Sequence, residues 1–216
     1  MSGIVGGFDK KEVSKNIFSC LYNTQTRGQD NCGISVAGDE SVRTHTGKRL
    51  ISAVLYPSVI KSFFHPSDYV AIGHVGDRKV ERDYIQPLIV SSKNYDLSIS
   101  VDGMITDYGN SDHMHSDEEL IGTTFLKHME KTDDEKIACK GVLDDFDRAY
   151  FSMVAILHDK ERETSKLIGL RDKRGIKPMY MGRTEKGLYI TSESGAIDNL
   201  QTSGNLFFER RDVNPG

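Results

Sequence analysis

Apolar residues fall in short runs and alternating pairs along most of the chain, with a few stretches at helical spacing. Ile4, Val5 and Phe8 predict a strand over 2–8, and Gly3, Gly6 and Gly7 within it signal close backbone approach. Val13, Ile17, Cys20 and Leu21 then recur at helical spacing, with Lys10, Lys11, Lys15 and Asn16 on the other side, which predicts a helix over 10–24. Asp9 and Glu12 stand at capping-box spacing, and Gly28 beyond the helix suits a left-handed terminus. Strands are expected at 32–37 and 41–46 around a Gly38-Asp39-Glu40 turn, at 69–74, and at 97–101 before an Asp102-Gly103 turn. The segment 51–64 fits helix after Pro57. Ser116 and Glu119 form a second capping box before a helix through Leu120, Phe125 and Met129, and a short helix follows at 133–140. The most apolar strand is 149–157; further strands at 167–170, 179–182 and 188–192 are separated by turns at 172–175 and 184–187, with a helix at 194–200. Strands outnumber helices, and some are only two to five residues apart, which requires antiparallel hairpins. The pattern is α+β, with antiparallel sheet and helices outside.

Composition narrows the functions. The 216 residues are 37% hydrophobic and 28% charged, which suits a single globular domain with its own core. Lys and Arg total 28 against 32 Asp and Glu, a formal charge of -4, so no basic excess points to nucleic acid as a partner. No apolar run reaches the roughly 18 residues of a membrane span, and the first residues lack the basic and apolar regions of a secretory signal. Three cysteines, Cys20, Cys32 and Cys139, make no disulfide framework and fit a reducing, cytoplasmic setting. No repeat or low-complexity segment interrupts the chain. The oligomeric state is not legible.

Candidate chemistry is sparse. CxxC, HExxH, GxxxxGK and GxSxG motifs are absent, and no nicotinamide, flavin, metal or nucleotide requirement is visible. His113 and His115 with Asp112 or Asp117 are metal-type ligands, but the plain reading is a polar loop before a helix. The cysteines read as apolar packing residues. Arg27-Gly28-Gln29-Asp30-Asn31 groups a guanidinium, an amide and a carboxylate around a glycine, which either fixes a turn or faces a polar ligand. Arg171 to Gly175 reads as a charged hairpin turn. Ser2 becomes the first residue once Met1 is removed, and a terminal residue can serve as nucleophile and, through its α-amine, as general base.

Taken in order, these segments resemble the glutaminase domain of the class II glutamine amidotransferases, which are N-terminal nucleophile hydrolases; the likeness is greatest to the glutaminase half of the amidophosphoribosyltransferase family. Ser2-Gly3-Ile4-Val5-Gly6 stands on the family's opening Cys-Gly-Ile-Val-Gly, and Arg27-Gly28-Gln29-Asp30-Asn31-Cys32-Gly33-Ile34 on its Arg-Gly-Gln-Asp-Ser-x-Gly-Ile signature. Ile72-Gly73-His74-Val75 opens its Gly-His-x-Arg-Tyr segment, Val101-Asp102-Gly103 falls on His-Asn-Gly, and Ser116 to Glu119 on Asp-Ser-Glu. Ala149-Tyr150, Arg171-Asp172, Gly175 to Met179, Ser192-Glu193-Ser194 and the 212–216 segment continue the match.

The resemblance implies a four-layer αββα sandwich of two mainly antiparallel sheets. It implies Ser2 in the place of the nucleophilic cysteine, and Asp102 and Gly103 at the oxyanion-hole positions, where the family has an asparagine amide and the next backbone N–H. It implies Arg27, Gly76, Arg78 and Asp117 around the substrate. Gly76 replaces the arginine that clamps the glutamine carboxylate, with Asp77 after it and Arg78 two residues on, while Asp117 stands where the α-amino group is held. Three groups that perform or anchor the chemistry are thus changed on a retained scaffold. The expectation is a glutamine amidotransferase-like domain over 1–216, without the phosphoribosyltransferase domain, degenerate in catalysis and acting by ligand or partner binding. The alternative is an active amidohydrolase using Ser2. Glutamine or a related small amide, and a synthase-type partner protein, are the implied partners; no cofactor is implied.

Overall fold

The computed structural model describes residues 2–77, 84–106, 116–202 and 207–216. Two antiparallel sheets lie face to face. The first strand, β1 (Ser2–Asp9), sits inside a seven-stranded sheet and pairs with β4 (Val70–Gly76) and β10 (Gly187–Thr191). Beyond β4 lie β2 (Asn31–Ala37) and β3 (Val42–Gly47); beyond β10 lie β9 (Tyr180–Thr184) and β11 (Phe207–Asp212). The second sheet runs β5 (Leu88–Ser91), β6 (Tyr95–Met104), β7 (Tyr150–Asp159) and β8 (Thr164–Arg171).

Strand alternation assigns each side chain to a layer. In β1, Ile4 joins the apolar layer between the sheets, with Ile72, Val154 and Ile156, while Val5 faces the opposite side. Gly6 and Gly7 divide likewise. A Cβ on Gly6 would meet Leu167 Cδ1 at 3.0 Å across the sheets, and one on Gly7 would meet Ile17 Cδ1 at 2.9 Å on the helix side. A strand covered on both faces needs a continuous apolar run, and β7 is one: every residue but its first is buried. A hydrogen bond from Ser98 Oγ to Ser35 Oγ, 2.7 Å, ties the sheets together.

Helices cover the outer faces. α1 (Val13–Thr24) lays Val13, Ile17, Cys20 and Leu21 on the first sheet; α2 (Ile51–Val54) and α6 (Ser194–Thr202) complete that layer, with α3 (Pro57–Phe63) packed at its edge. α4 (Asp117–Thr132) and α5 (Glu135–Asp145) cover the second sheet through Ile121, Phe125, Met129, Ala138 and Val142. Helix, sheet, sheet, helix is the four-layer arrangement that the resemblance implied. No helix among the described residues is long and apolar enough to cross a membrane.

Several local expectations need correction. α1 starts at Val13, not residue 10, and Glu12 makes no side-chain cap. Asp9 accepts from the backbone N–H groups of Lys11 and Glu12, which fixes a turn ahead of the helix. Ser116 does cap α4, accepting from Glu119 N at 3.1 Å. Asp133 is the left-handed C-cap of α4 and Asp134 the N-cap of α5, so the helix expected at 133–140 is shifted and longer. Gly28 is extended, with φ -176°, and does not serve a left-handed terminus. Its hydrogen side faces Gly76, whose Cα would lie 2.4 Å from a Cβ there. Asp102-Gly103 is no turn, because β6 runs through it to Met104.

Candidate functional site

Arg27 organises the region around Ser2. A single 3-10 turn, Gln25–Arg27, follows α1 and swings its side chain under the start of β1. Arg27 Nε donates to Ser2 O, Nη1 to Glu193 Oε1 and Nη2 to Asp102 Oδ2, each at 2.7 Å. One guanidinium thereby joins β1, β6 and the residue ahead of α6. Burial opposes its charge, but hydrogen bonds and attraction from Glu193 and Asp102 outweigh that and push it above its ordinary range. The Arg27-to-Asn31 cluster, open between two readings in the sequence, therefore has its arginine in a tertiary ion-pair network. Arg171 is likewise more than a turn residue: it donates to the carbonyls of Lys177, Val213 and Gly175.

Asp102 is 2% exposed and receives a second cation: Lys177 Nζ donates to Oδ1 at 3.0 Å. Each carboxylate oxygen thus accepts from a cationic donor. Opposite unit charges at about 4 Å attract by about 4 kcal/mol at an effective dielectric of about 20, so two such contacts offset much of the cost of burying the carboxylate. Lys177 and Glu193 had no role in the sequence reading, although both lie in matched segments. The signal was available: a carboxylate in an amide's place, inside a buried strand, calls for cations.

Gly103 is locked by its neighbours. Its φ is 154°, and a Cβ would stand 2.2 Å from Tyr150 O and 2.5 Å from Phe151 Cα. Only glycine fits such a backbone approach. Asp117 opens α4, is 3% exposed, and accepts from Ile105 N at 3.3 Å, which ties it to the chain just past β6. Gln86 was missed by the sequence reading. Its buried amide receives Val101 N at 2.6 Å and donates to Glu118 Oε1 at 2.7 Å, bracing β6 next to Asp102.

Gly76 pairs directly with both Ser2 and Asn31. It is boxed in: a Cβ would lie 2.6 Å from His74 Cε1 and 3.1 Å from Asn31 Oδ1. The structure thus brings Ser2, Arg27, Asp102 and Gly76 to one end of β1, with Gly103 and Asp117 adjoining through β6 and the start of α4. Arg78, Asp112, His113 and His115 lie outside the described residues. Among the described residues no three His, Cys, Asp or Glu side chains converge as metal ligands. Burial pushes Cys32 up to about 12 and Cys20 further, and burial with the charge of Glu135 pushes Cys139 up to about 11, so the thiolate form is disfavoured at all three.

Known proteins give the same picture. Residues 78–199, more than half of the chain, match the glutamine amidotransferase domain family. Amidophosphoribosyltransferase from Methanocaldococcus jannaschii is 29% identical over 100% of this chain and 46% of its own length. Amidophosphoribosyltransferase 3, chloroplastic, from Arabidopsis thaliana is 30% identical over 99% and 40%. Glutamine phosphoribosylpyrophosphate amidotransferase from B. subtilis, solved with ADP and GMP, superposes with a TM-score of 0.72 at 21% identity, covering 99% of this chain and 46% of that one. The chain spans half or less of the length of these relatives. Fold, order of motifs and family match agree: the chain belongs to the glutamine amidotransferase domain family, as a class II-type domain related to the glutaminase domain of amidophosphoribosyltransferase.

Proposed function

We propose that this domain, read as one unit over 1–216, has lost glutaminase chemistry and acts by binding a glutamine-like small amide or a synthase-type partner protein. The observation that carries the reading is Asp102, held between Arg27 and Lys177 at the position where the resemblance calls for an amide donor. An oxyanion forming there meets acceptor oxygens instead of an N–H. Loss of one such donor costs about 3 kcal/mol, a factor of about 10² to 10³ in rate, before any repulsion is added. A serine hydroxyl is also a weaker nucleophile than a thiol at neutral pH. Gly76 removes the carboxylate clamp, and His74 fills the adjoining space.

The active reading draws on what is kept. Ser2 starts a strand beside Arg27, Gly103 holds a backbone that only glycine adopts, and Asp117 is buried at the start of α4. In that reading the Ser2 hydroxyl attacks an amide carbon while its α-amine takes the proton and passes it to the amide nitrogen; the C–N bond breaks, ammonia leaves, and water hydrolyses the Ser2 ester to release the acid. The two are separated by measuring ammonia release from glutamine with protein whose first residue is verified as Ser2 by mass spectrometry, beside calorimetric titration with glutamine. Binding without turnover supports the proposal for a small ligand. A persistent hetero-complex on native purification, without glutamine binding, supports it for a partner. Ser2-dependent ammonia release overturns it.

A further inference from the structure

A cavity of about 630 Å³ opens between α5 and β8, sharing no residue with the Ser2 cluster. Its volume falls in the range of about 300 to 1,000 Å³ typical of small-molecule sites. The floor is apolar: Leu143, Ile168 and Leu170 are under a tenth exposed, and Cys139 lies half-buried among them. β8 is an edge strand, so among the described residues no further strand lies beyond it.

Charge at the rim is unequal in its commitments. Glu135 is paired with Lys166, and Lys173 bridges Asp144 at 2.9 Å and Asp147 at 3.1 Å. Lys136 and Lys140 also line the opening, one turn apart on the same face of α5, and neither ammonium is in an ion pair among the described residues. Asp144, bridged by Lys173, also attracts Lys140 without an ion-pair contact, so both ammonium groups keep charge to offer a ligand. An apolar floor beside two ammonium groups outside ion-pair contact complements a molecule with an apolar body and one anionic group.

We propose that the α5–β8 cavity binds a small amphipathic anion, an aromatic or aliphatic body bearing a carboxylate or sulfonate, with the body over Ile168 and Leu170 and the anion at Lys136 and Lys140. The probe is anilinonaphthalene sulfonate, followed by fluorescence on the full chain, with the uncharged N-phenylnaphthylamine as comparison. Saturable one-site binding is expected. The surface variant K136Q/K140Q should weaken the sulfonate by about fivefold or more, as two exposed charge contacts would, and leave the uncharged dye unchanged. Unchanged sulfonate affinity in K136Q/K140Q, or unsaturable binding, overturns the proposal. Circular dichroism of each protein distinguishes a lost site from a lost fold.

Discussion

At the residue scale, Asp102 decides the account. Replacing it by asparagine restores a donor but strips the charge shared by Arg27 and Lys177, which are 11% and 21% exposed. Breaking a buried ion pair from one side costs about 3 kcal/mol, and Glu193 still receives one arm of Arg27, so Asp102→Asn should lose roughly that or less in urea unfolding. A variant as stable as the parent would show that the two cations do not depend on this carboxylate. Gly103→Ala is expected to be worse, because its Cβ would overlap backbone atoms of Tyr150 and Phe151 that cannot step aside; a loss of about 3 kcal/mol or more, or failure to fold, is expected. The sequence identified both positions but not their reasons. Gly103 read as a turn residue, whereas it ends a strand pressed against β7. Gly28 read as a helix terminus, whereas it makes room for Gly76. Distinguishing these uses needs the neighbouring strand, which no local pattern contains.

At the element scale, two of the four edge strands among the described residues escaped the apolar pattern. Interior strands such as β1, β4 and β7 carry apolar side chains on both faces and stand out as runs. β5 and β11 were missed; both are edge strands, β5 only four residues long and β11 closing on Glu209, Arg210, Arg211 and Asp212. Charged edges discourage pairing with other chains, and that function hides them from an apolar pattern. The start of α4 was legible from its cap, that of α3 from Pro57 without a cap bond and that of α6 at Ser194, and that of α1 was misread where Glu12 makes none. Ser116 accepts from Glu119 N, and Asp117, Glu118 and Glu119 fill a first turn that favours negative charge. Ser116→Ala should cost about 1 kcal/mol in chemical denaturation. Glu12→Ala, at a position without a cap bond, should be nearly neutral beside it.

At the scale of the whole molecule, stability should depend on pH at both ends. Hydrogen bonds from Arg162 and Tyr95 hold Asp133 well below the usual carboxylate range. Burial opposes the charge of Asp159, but the backbone N–H and guanidinium of Arg162 still lower it. Carboxylates lowered in the folded state contribute stability present above about pH 4 and lost as pH falls below it. Burial raises Tyr189 and Cys20, and Asp9 raises Tyr189 further; burial and Asp133 raise Tyr95 to about 12. Those groups contribute stability that is full below their ordinary values of about 8.5 to 10 and is lost progressively as pH rises from there towards their folded values, about 12 for Tyr95. The urea midpoint should be flat from about pH 5 to 8 and fall on either side. Arg162→Gln should shallow the acid limb and Tyr189→Phe the alkaline one; unchanged limbs would contradict these assignments.

The central claim, that the Arg27–Asp102–Lys177 cluster has closed the oxyanion position to amide chemistry, is tested most directly by ammonia release from glutamine in a Ser2→Cys variant whose first residue is verified as the new cysteine. The thiol removes the weaker nucleophile as an explanation and leaves Asp102 in place. The account predicts no release above a heat-denatured control. Steady turnover by that variant, with Asp102 untouched, would contradict it.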